Sequence, residues 1–552
     1  MTANATTVPA GPHRALWRWF DRTVLDLGRQ MRLSYLPPLM VYVAAGIQGI
    51  TAIVGTFFVK EYLGLSAAFL AALGFWATLP WTLKVPVGHL VDLMWKWKSL
   101  LVYLGASLIA VSLVIMVALL GDPAAMRAIM PAEAWFVISV LLAPVGYMLQ
   151  DVVADAMTVE AVPRVEDDGR PVPDEERRIR QVTVQTLGRV AVIGGSVLVS
   201  GLNVAMFSGV AHMSIAEKVA TYQHIYTLGL IIPVVSVLGV VLAGHLLRQE
   251  AARLKASGLT PEEIDRALHG HGDRPEVNWW ILGGGLAFVV FTLGMGLGQV
   301  PYDEEIVFGG SMAIIVFLIW KLTRELDPDA RATLLGTALL IFVFRAMPGP
   351  GAGSTWWMID VLGFDQQFQS KLALITSTLT LLGLFLFRRF MAERSILYVI
   401  GFLTIIGTLL ALPGLGMYYG LHHWTAAHTG GVVDARFIAV IDTALESPLG
   451  QVSMVPMLAW IANSAPDRLK ATYFAVMASF TNLALAASNL GTKYLNQIFV
   501  VSREVKDAAT HAIVTPADYS QLGQLFIVVI LIGLCLPLLA IAFVKTTRFR
   551  SA

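Results

Sequence analysis

Leu79-Pro80-Trp81-Thr82-Leu83-Lys84-Val85-Pro86-Val87-Gly88-His89-Leu90-Val91-Asp92 is the stretch that decides how this chain is read. It closes an apolar run that begins at Ala67, so Lys84 falls at membrane depth, flanked by two prolines and a tryptophan. A lysine at the centre of a spanning helix costs about 2.5–3.5 kcal/mol on insertion scales. The run then leaves the apolar zone through Gly88 and Asp92 toward Lys96 and Lys98. A buried cation beside helix-disturbing prolines, followed by a glycine–aspartate–basic turn, reads as part of a solute path with a gate at one end.

Composition supports a membrane setting. Of 552 residues, 56% are hydrophobic and 14% charged, against about 25% charged in soluble proteins. That much apolar surface does not fit inside one soluble core and matches many spanning helices of about 20 residues each. A net charge of +1 argues against nucleic acid as a partner, which calls for a basic face. The single cysteine, Cys535, leaves no disulfide framework and no cysteine metal site. The first thirty residues lack the apolar core of a cleaved signal peptide.

Apolar segments follow at 37–59, 66–91, 99–120, 134–158, 183–208 and 224–246, and again at 277–299, 305–321, 332–355, 367–388, 394–413, 434–462, 470–500 and 522–545. These fourteen predict an all-α polytopic membrane protein. Ahead of them, Leu16, Phe20, Val24, Leu27 and Met31 recur at helical spacing among arginines, the pattern of a helix lying on the membrane surface. With the N-terminus cytoplasmic, 28 lysines and arginines fall in cytoplasmic segments and 6 in external ones, a bias that predicts both termini inside. The expected division is a cytoplasmic arm over 1–35, a six-helix bundle over 36–247, a cytoplasmic linker over 248–276, an inserted hairpin over 277–325, and a second six-helix bundle over 326–552. Within the linker, Thr260-Pro261-Glu262-Glu263 reads as a capped helix start. His269 and His271 lack the further ligands a metal site needs.

The charged groups at membrane depth are the candidate site. Lys84 is expected to bind an anion or pair with an acid. Asp151 and Asp155 lie one turn apart on one helical face, suited to carrying a proton or to pairing with basic residues on neighbouring helices. Glu160, nearer the surface, is expected to bridge to the Arg177–Arg180 cluster as a gate. Arg189 ends a polar face with Gln181 and Gln185, and its planar fork suits a carboxylate or phosphate. Its partner is either a helix-four aspartate or a substrate anion. Arg345 opens the run to Gly353, where prolines and glycines break an apolar helix, a feature tolerated where the chain lines a cavity. Trp356 is a stacking candidate or an interface anchor. Asp442 and Glu446 repeat the spacing of Asp151 and Asp155 in the second half, and Asn482 adds a polar group to a small-residue helix. No nucleophile–base pair, phosphate loop or metal-ligand cluster appears, so no enzyme activity and no cofactor are expected. The expected partners are the bilayer, a small-molecule substrate and, as a coupling ion, protons.

Several of these stretches together resemble the folate–biopterin transporter family of the major facilitator superfamily. The run from Leu79 to Asp92 resembles that family's second helix, and Asp151-Val152-Val153-Ala154-Asp155 to Glu160 its fourth. Arg345 to Gly353 with Leu362-Gly363-Phe364 is similar to its seventh-helix segment, and Ala471-Thr472-Tyr473-Phe474-Ala475 to Asn482 to its eleventh. The resemblance implies the major facilitator fold with two six-helix bundles, here with a two-helix insert. It also implies Lys84, Asp151, Asp155, Arg189 and Arg345 as substrate or coupling residues. Gly88, Asp92, Lys96 and Lys98 resemble the superfamily's gate loop between helices two and three. Where the family shows Cys-Pro before the eleventh helix, this chain has Ala465-Pro466, which bears on the solute more than on the fold. The implied function is secondary active transport of a small, anionic, folate- or pterin-like solute by alternating access, with proton symport as the candidate coupling, in a bacterial inner membrane. A muropeptide permease and a non-transport assembly factor on the same fold stand as alternatives.

Overall fold

The computed structural model describes residue 21 and residues 25–163, 172–269, 277–298, 300–324, 327–387, 390, 393–452, 470–506 and 513–547. We number its long helices in chain order. The first four are α1 (Leu33–Tyr62), α2 (Ala67–Leu93), α3 (Ser99–Gly121) and α4 (Ala132–Ala161). They are followed by α5 (Asp174–Met206) and by α6 (Ile215–Ala256), which is bent at Leu230. A hairpin comprises α7 (Trp279–Leu297) and α8 (Asp303–Thr323). The last six are α9 (Pro328–Arg345), α10 (Gln366–Leu386), α11 (Ile396–Tyr418), α12 (Ala435–Glu446), α13 (Lys470–Ile498) and α14 (Leu522–Thr546).

Ten of these are long and apolar enough to cross a membrane. The other four are α8, which opens on three carboxylates, α9, which carries three charges, the short α12, and α13, lined with polar groups. Each expected segment has a helix at its place, although 453–462 of the twelfth lies outside the described residues. Most of the expected surface helix at 16–31 does too, its described part being the short helix Asp26–Arg29.

Two expectations change. The linker does not begin at 248, because α6 runs on through Ala256; Leu, Arg, Gln, Glu, Ala and Lys are all good helix formers, and polarity alone does not stop a helix. The shortened linker then holds the helix Pro261–His269. Thr260 caps it in a reciprocal box with Glu263, each side chain bonded to the other's backbone N–H at 3.4 and 2.8 Å. The segment 332–355 is split: α9 ends at Arg345, and a separate helix, Ala352–Asp360, follows a non-helical Met347–Gly351. A two-stranded antiparallel ribbon, Val505–Lys506 with Ile513–Thr515, between α13 and α14 was not expected.

The first six and the last six helices meet mainly through two pairs, α2 with α13 and α5 with α10. Within the first half, small residues let backbones touch. A Cβ added at Gly46 of α1 would lie 2.1 Å from the Val192 carbonyl oxygen of α5, so only glycine permits that approach.

The breaks in α2 and α9 share one solution. In α2, Leu79–Leu83 tightens to a 3-10 turn around Pro80, and Pro86 has no N–H to offer the Thr82 carbonyl. Ser479 of α13 donates to that carbonyl at 2.9 Å, and Asn482 donates to the Trp81 carbonyl at 3.1 Å. In α9, Pro348 and Pro350 end the helix. Ser488 donates to the Met347 carbonyl at 2.6 Å, Thr492 accepts from the Gly349 N–H at 3.0 Å, and Asn496 donates to the Pro350 carbonyl at 3.3 Å. Ser488, Thr492 and Asn496 are successive turns of one face of α13. A single helix therefore satisfies the backbone of two broken ones, which in lipid is the condition for keeping the breaks.

Candidate functional site

The 3-10 turn delivers Lys84 to the start of the second piece of α2. There its ammonium pairs with Asp151 and lies 3.7 Å from Asp155, both on α4. Tyr42 of α1 donates to the other oxygen of Asp155 at 2.6 Å, and the Trp81 ring centroid is 5.7 Å from the ammonium. The expected i,i+4 acids thus share one lysine. Arg189 of α5 stands within electrostatic reach of Lys84, Asp155 and Tyr42 but makes no ion pair among the described residues. Lysine has taken the aspartates that arginine was a candidate for. Tyr42 reads as one more apolar position in sequence; its place depends on Gly188, where a Cβ would lie 2.8 Å from the tyrosine ring.

In the second half, two of the candidate residues keep buried atoms without a partner among the described residues. Arg345 ends α9 at the break, and its Nε is buried with no hydrogen-bond partner. Asp442 has a buried carboxylate oxygen with no partner, and Glu446 lies one turn away, exposed. Asn482 is engaged with the Trp81 carbonyl across the seam. Trp356 does not join these groups. It is 2% exposed and lies 5.4 Å beneath the Arg503 guanidinium.

The expected gate residues fall at one end. Lys98, 9% exposed, pairs with Glu160 at 2.5 Å and lies 4.4 Å over the Trp95 ring. Burial pulls the Lys98 ammonium below its ordinary range, and Glu160 partly opposes this. Glu160 therefore does not bridge to the Arg177–Arg180 cluster as expected; Arg180 instead bonds Glu176 on its own helix at 2.6 Å. The end of α4 faces the α2–α3 turn, and a shared depth near the basic face did not distinguish between the two partners. Gly88 and Asp92 sit on the last turns of α2, and Lys96 lies in the short turn after it. A pocket of about 380 Å³ opens at this basic face, lined by Arg32, Met157, Glu160, Leu247 and Arg253 among others. None of Lys84, Asp151, Arg189 and Arg345 lines it, so it is separate from the charged site.

The opposite face carries a bonded group across the two halves, here called the seal, that sequence reading missed. Lys60 of α1 pairs with Asp360, beyond the α9 break, at 2.5 Å, and Tyr519 donates to the same carboxylate at 2.5 Å. Arg503, 4% exposed, donates to the Lys60 carbonyl. Beside them Gln366 of α10 donates to the Tyr222 hydroxyl at 2.7 Å, and Tyr222 donates to Glu61 at 3.3 Å. Burial and Asp360 together hold the Tyr519 phenol well above its ordinary range, so it stays a donor at neutral pH. Four of these are charged residues at helix ends or in a loop, where solvent exposure is the default reading. A double-mutant cycle tests the seal: Lys60→Ala and Asp360→Ala each lower thermal stability, and the double variant falls short of additivity by about 1–3 kcal/mol. Additive losses in thermal unfolding would show the pair to be uncoupled.

Comparison with known proteins agrees with this architecture. Residues 279–548 match the BT1 family model. A folate-biopterin transporter of Synechocystis sp. is 23% identical over 514 residues, covering 92% of this chain and 81% of the relative. Among solved structures, a POT family transporter in complex with 5-aminolevulinic acid aligns over 93% of this chain and 95% of its own, with a TM-score of 0.58 at 13% identity. A peptide transporter POT in complex with sulfate aligns over 93% and 94%, with a TM-score of 0.55 at 16% identity. These relatives are transporters, not enzymes. The chain is a multi-pass membrane transporter of the major facilitator fold, similar over 92% of its length to a folate-biopterin transporter and matching the BT1 family model in residues 279–548.

Proposed function

We propose that the protein moves a small organic anion of the folate or pterin class by alternating access, with its basic face in the cytoplasm. The observation that carries this reading is the asymmetry of the buried charges. Lys84, Asp151, Asp155 and Tyr42 satisfy one another, whereas Arg345 Nε and Asp442 Oδ1 are buried without a partner among the described residues. A buried polar group left unpaired costs about 1–3 kcal/mol, which a ligand supplying the missing partner recovers. A pterin ring offers N–H donors that suit a carboxylate such as Asp442. A folate tail offers carboxylates that suit the fork of Arg345, with Arg189 as a second cation. Asp442 and Glu446 are the proposed coupling acids, because no cation pairs with them among the described residues.

The conformer fits a solute path open to the basic face. The Lys60–Asp360–Tyr519 group closes the other face, while the Asp155 side chain is 58% exposed and Arg189 is exposed. Gly88, Asp92, Lys96, Lys98 and Glu160 would then form the cytoplasmic gate in its open arrangement.

Uptake of labelled folate into proteoliposomes, with and without an imposed pH gradient, tests the reading. Accumulation is expected in the parent, with a loss of about 10–100-fold in Arg345→Ala, the size of one charge-assisted bond, and a smaller loss in Arg345→Lys. Accumulation of labelled muropeptide instead of folate would replace the solute assignment.

A further inference from the structure

The α7–α8 hairpin touches both halves. Its first helix lies along α2: a Cβ added at Gly285 would sit 2.5 Å from Pro86 Cβ, and one at Gly296 would sit 3.0 Å from the Trp76 ring. At the basic face the Asn278 N–H donates to His89 Nε2 of α2 at 2.9 Å. The second helix lies along α13. Lys493 bonds Glu304 at 3.2 Å and Glu305 at 2.9 Å, and Tyr494 donates to Glu305. Lys493 and Glu304 are each only 13% exposed. The connection between the two helices is short and ends on Tyr302, the one non-glycine residue with positive φ (61°) among the described residues. That turn lies on the same face as the Lys60–Asp360 seal.

A hairpin is joined at one end only. At its open end α7 and α8 can part, so the α2–α13 seam beneath them can widen toward the basic face. At the turn they are held together. There the seam can widen only if α7 slides off α2 or α8 slides off α13. We propose that the hairpin is a clasp that holds the α2–α13 seam shut on the face opposite the basic one, fastened to α13 by Glu304, Glu305 and Lys493. Lys493 is thereby a positioning residue for the conformational cycle, away from the charged site around Lys84.

The test uses the full chain in lipid nanodiscs, with Cys535→Ser and spin labels at Ala128→Cys and Ala427→Cys, two exposed positions on the turn face, one in each half. Electron–electron distance measurements in the parent are expected to give mainly the short, sealed separation. Lys493→Ala is expected to raise the long-separation population at least threefold, while Lys493→Arg keeps the parent distribution. Should Lys493→Ala fail to fold, the double variant Glu304→Gln, Glu305→Gln carries the same expectation. A folded variant of either kind with the parent's distances overturns the proposal. The readout needs no solute, so it fails or succeeds independently of the folate assignment.

Discussion

Lys84→Ala is expected to abolish uptake and to destabilise the protein by about 3 kcal/mol in thermal unfolding, the low end of the range for removing one partner of a buried ion pair. Two unit charges about 4 Å apart attract by about 4 kcal/mol at an effective dielectric of 20. Lys84 holds two carboxylates from one α4 face in this way. The Asp155 arm is the weaker, because that side chain is 58% exposed and water screens it; the Asp151 arm, 22% exposed at both partners, dominates. Without the lysine, two acids one turn apart repel, the more buried Asp151 losing its only ion-pair partner among the described residues. The structure also says which second change restores the balance. Lys84→Ala combined with Asp151→Asn regains most of the lost thermal stability but no uptake. If the double variant is as unstable as Lys84→Ala alone, lost packing of the lysine stem against Trp81 is the cause and the charge account fails.

Gly351→Ala is the second large effect, and it acts on the fold rather than the charges. Gly351 has φ 74° and ψ −171°, a region that only glycine occupies without strain; a side chain there costs about 1–3 kcal/mol. The added Cβ would also lie 2.7 Å from the Asn496 amide nitrogen, pushing away a donor to the Pro350 carbonyl whose bond contributes about 1 kcal/mol. The expected result is a loss of roughly 2–4 kcal/mol in thermal unfolding and low yield of folded transporter. Adding Asn496→Ala relieves the clash but not the backbone strain, so the pair recovers only part of the loss. Full recovery would mean that the strain is negligible.

Much of the fold was legible because its causes are local. An apolar run of twenty residues has few options other than crossing a bilayer, and Thr260 to Glu263 carries its cap in four letters. The Asp151–Asp155 face followed from helical spacing, and Lys84 announced itself by its cost. What escaped depends on tertiary proximity. Tyr42 is one apolar-run tyrosine until Gly188 lets α1 and α5 close around it. Glu160 reads as a partner for the Arg177–Arg180 cluster because both lie toward the cytoplasmic surface, whereas the helix end faces Lys98. Trp356 gave a stacking signal without showing that Arg503, 147 positions later in the sequence, covers it. The Lys60–Asp360–Tyr519 seal is assembled from the ends of three separate elements, and nothing in any one of them marks it.

The polar face of α13 has a consequence for how such a sequence can change over time. Ser479 answers a carbonyl that Pro86 leaves open, and Ser488, Thr492 and Asn496 answer groups freed around Pro348 and Pro350. A proline acquired before its hydroxyl partner leaves an unsatisfied carbonyl in lipid; a hydroxyl acquired first is nearly neutral. The order of substitution therefore matters, and these pairs are epistatic. A lineage that reverts Pro86 to a residue with an N–H frees Ser479 to drift, while one that loses Ser479 first carries a cost of about 1–3 kcal/mol. α13 thus keeps a record, in which serines and threonines it retains, of which kinks its neighbours still carry.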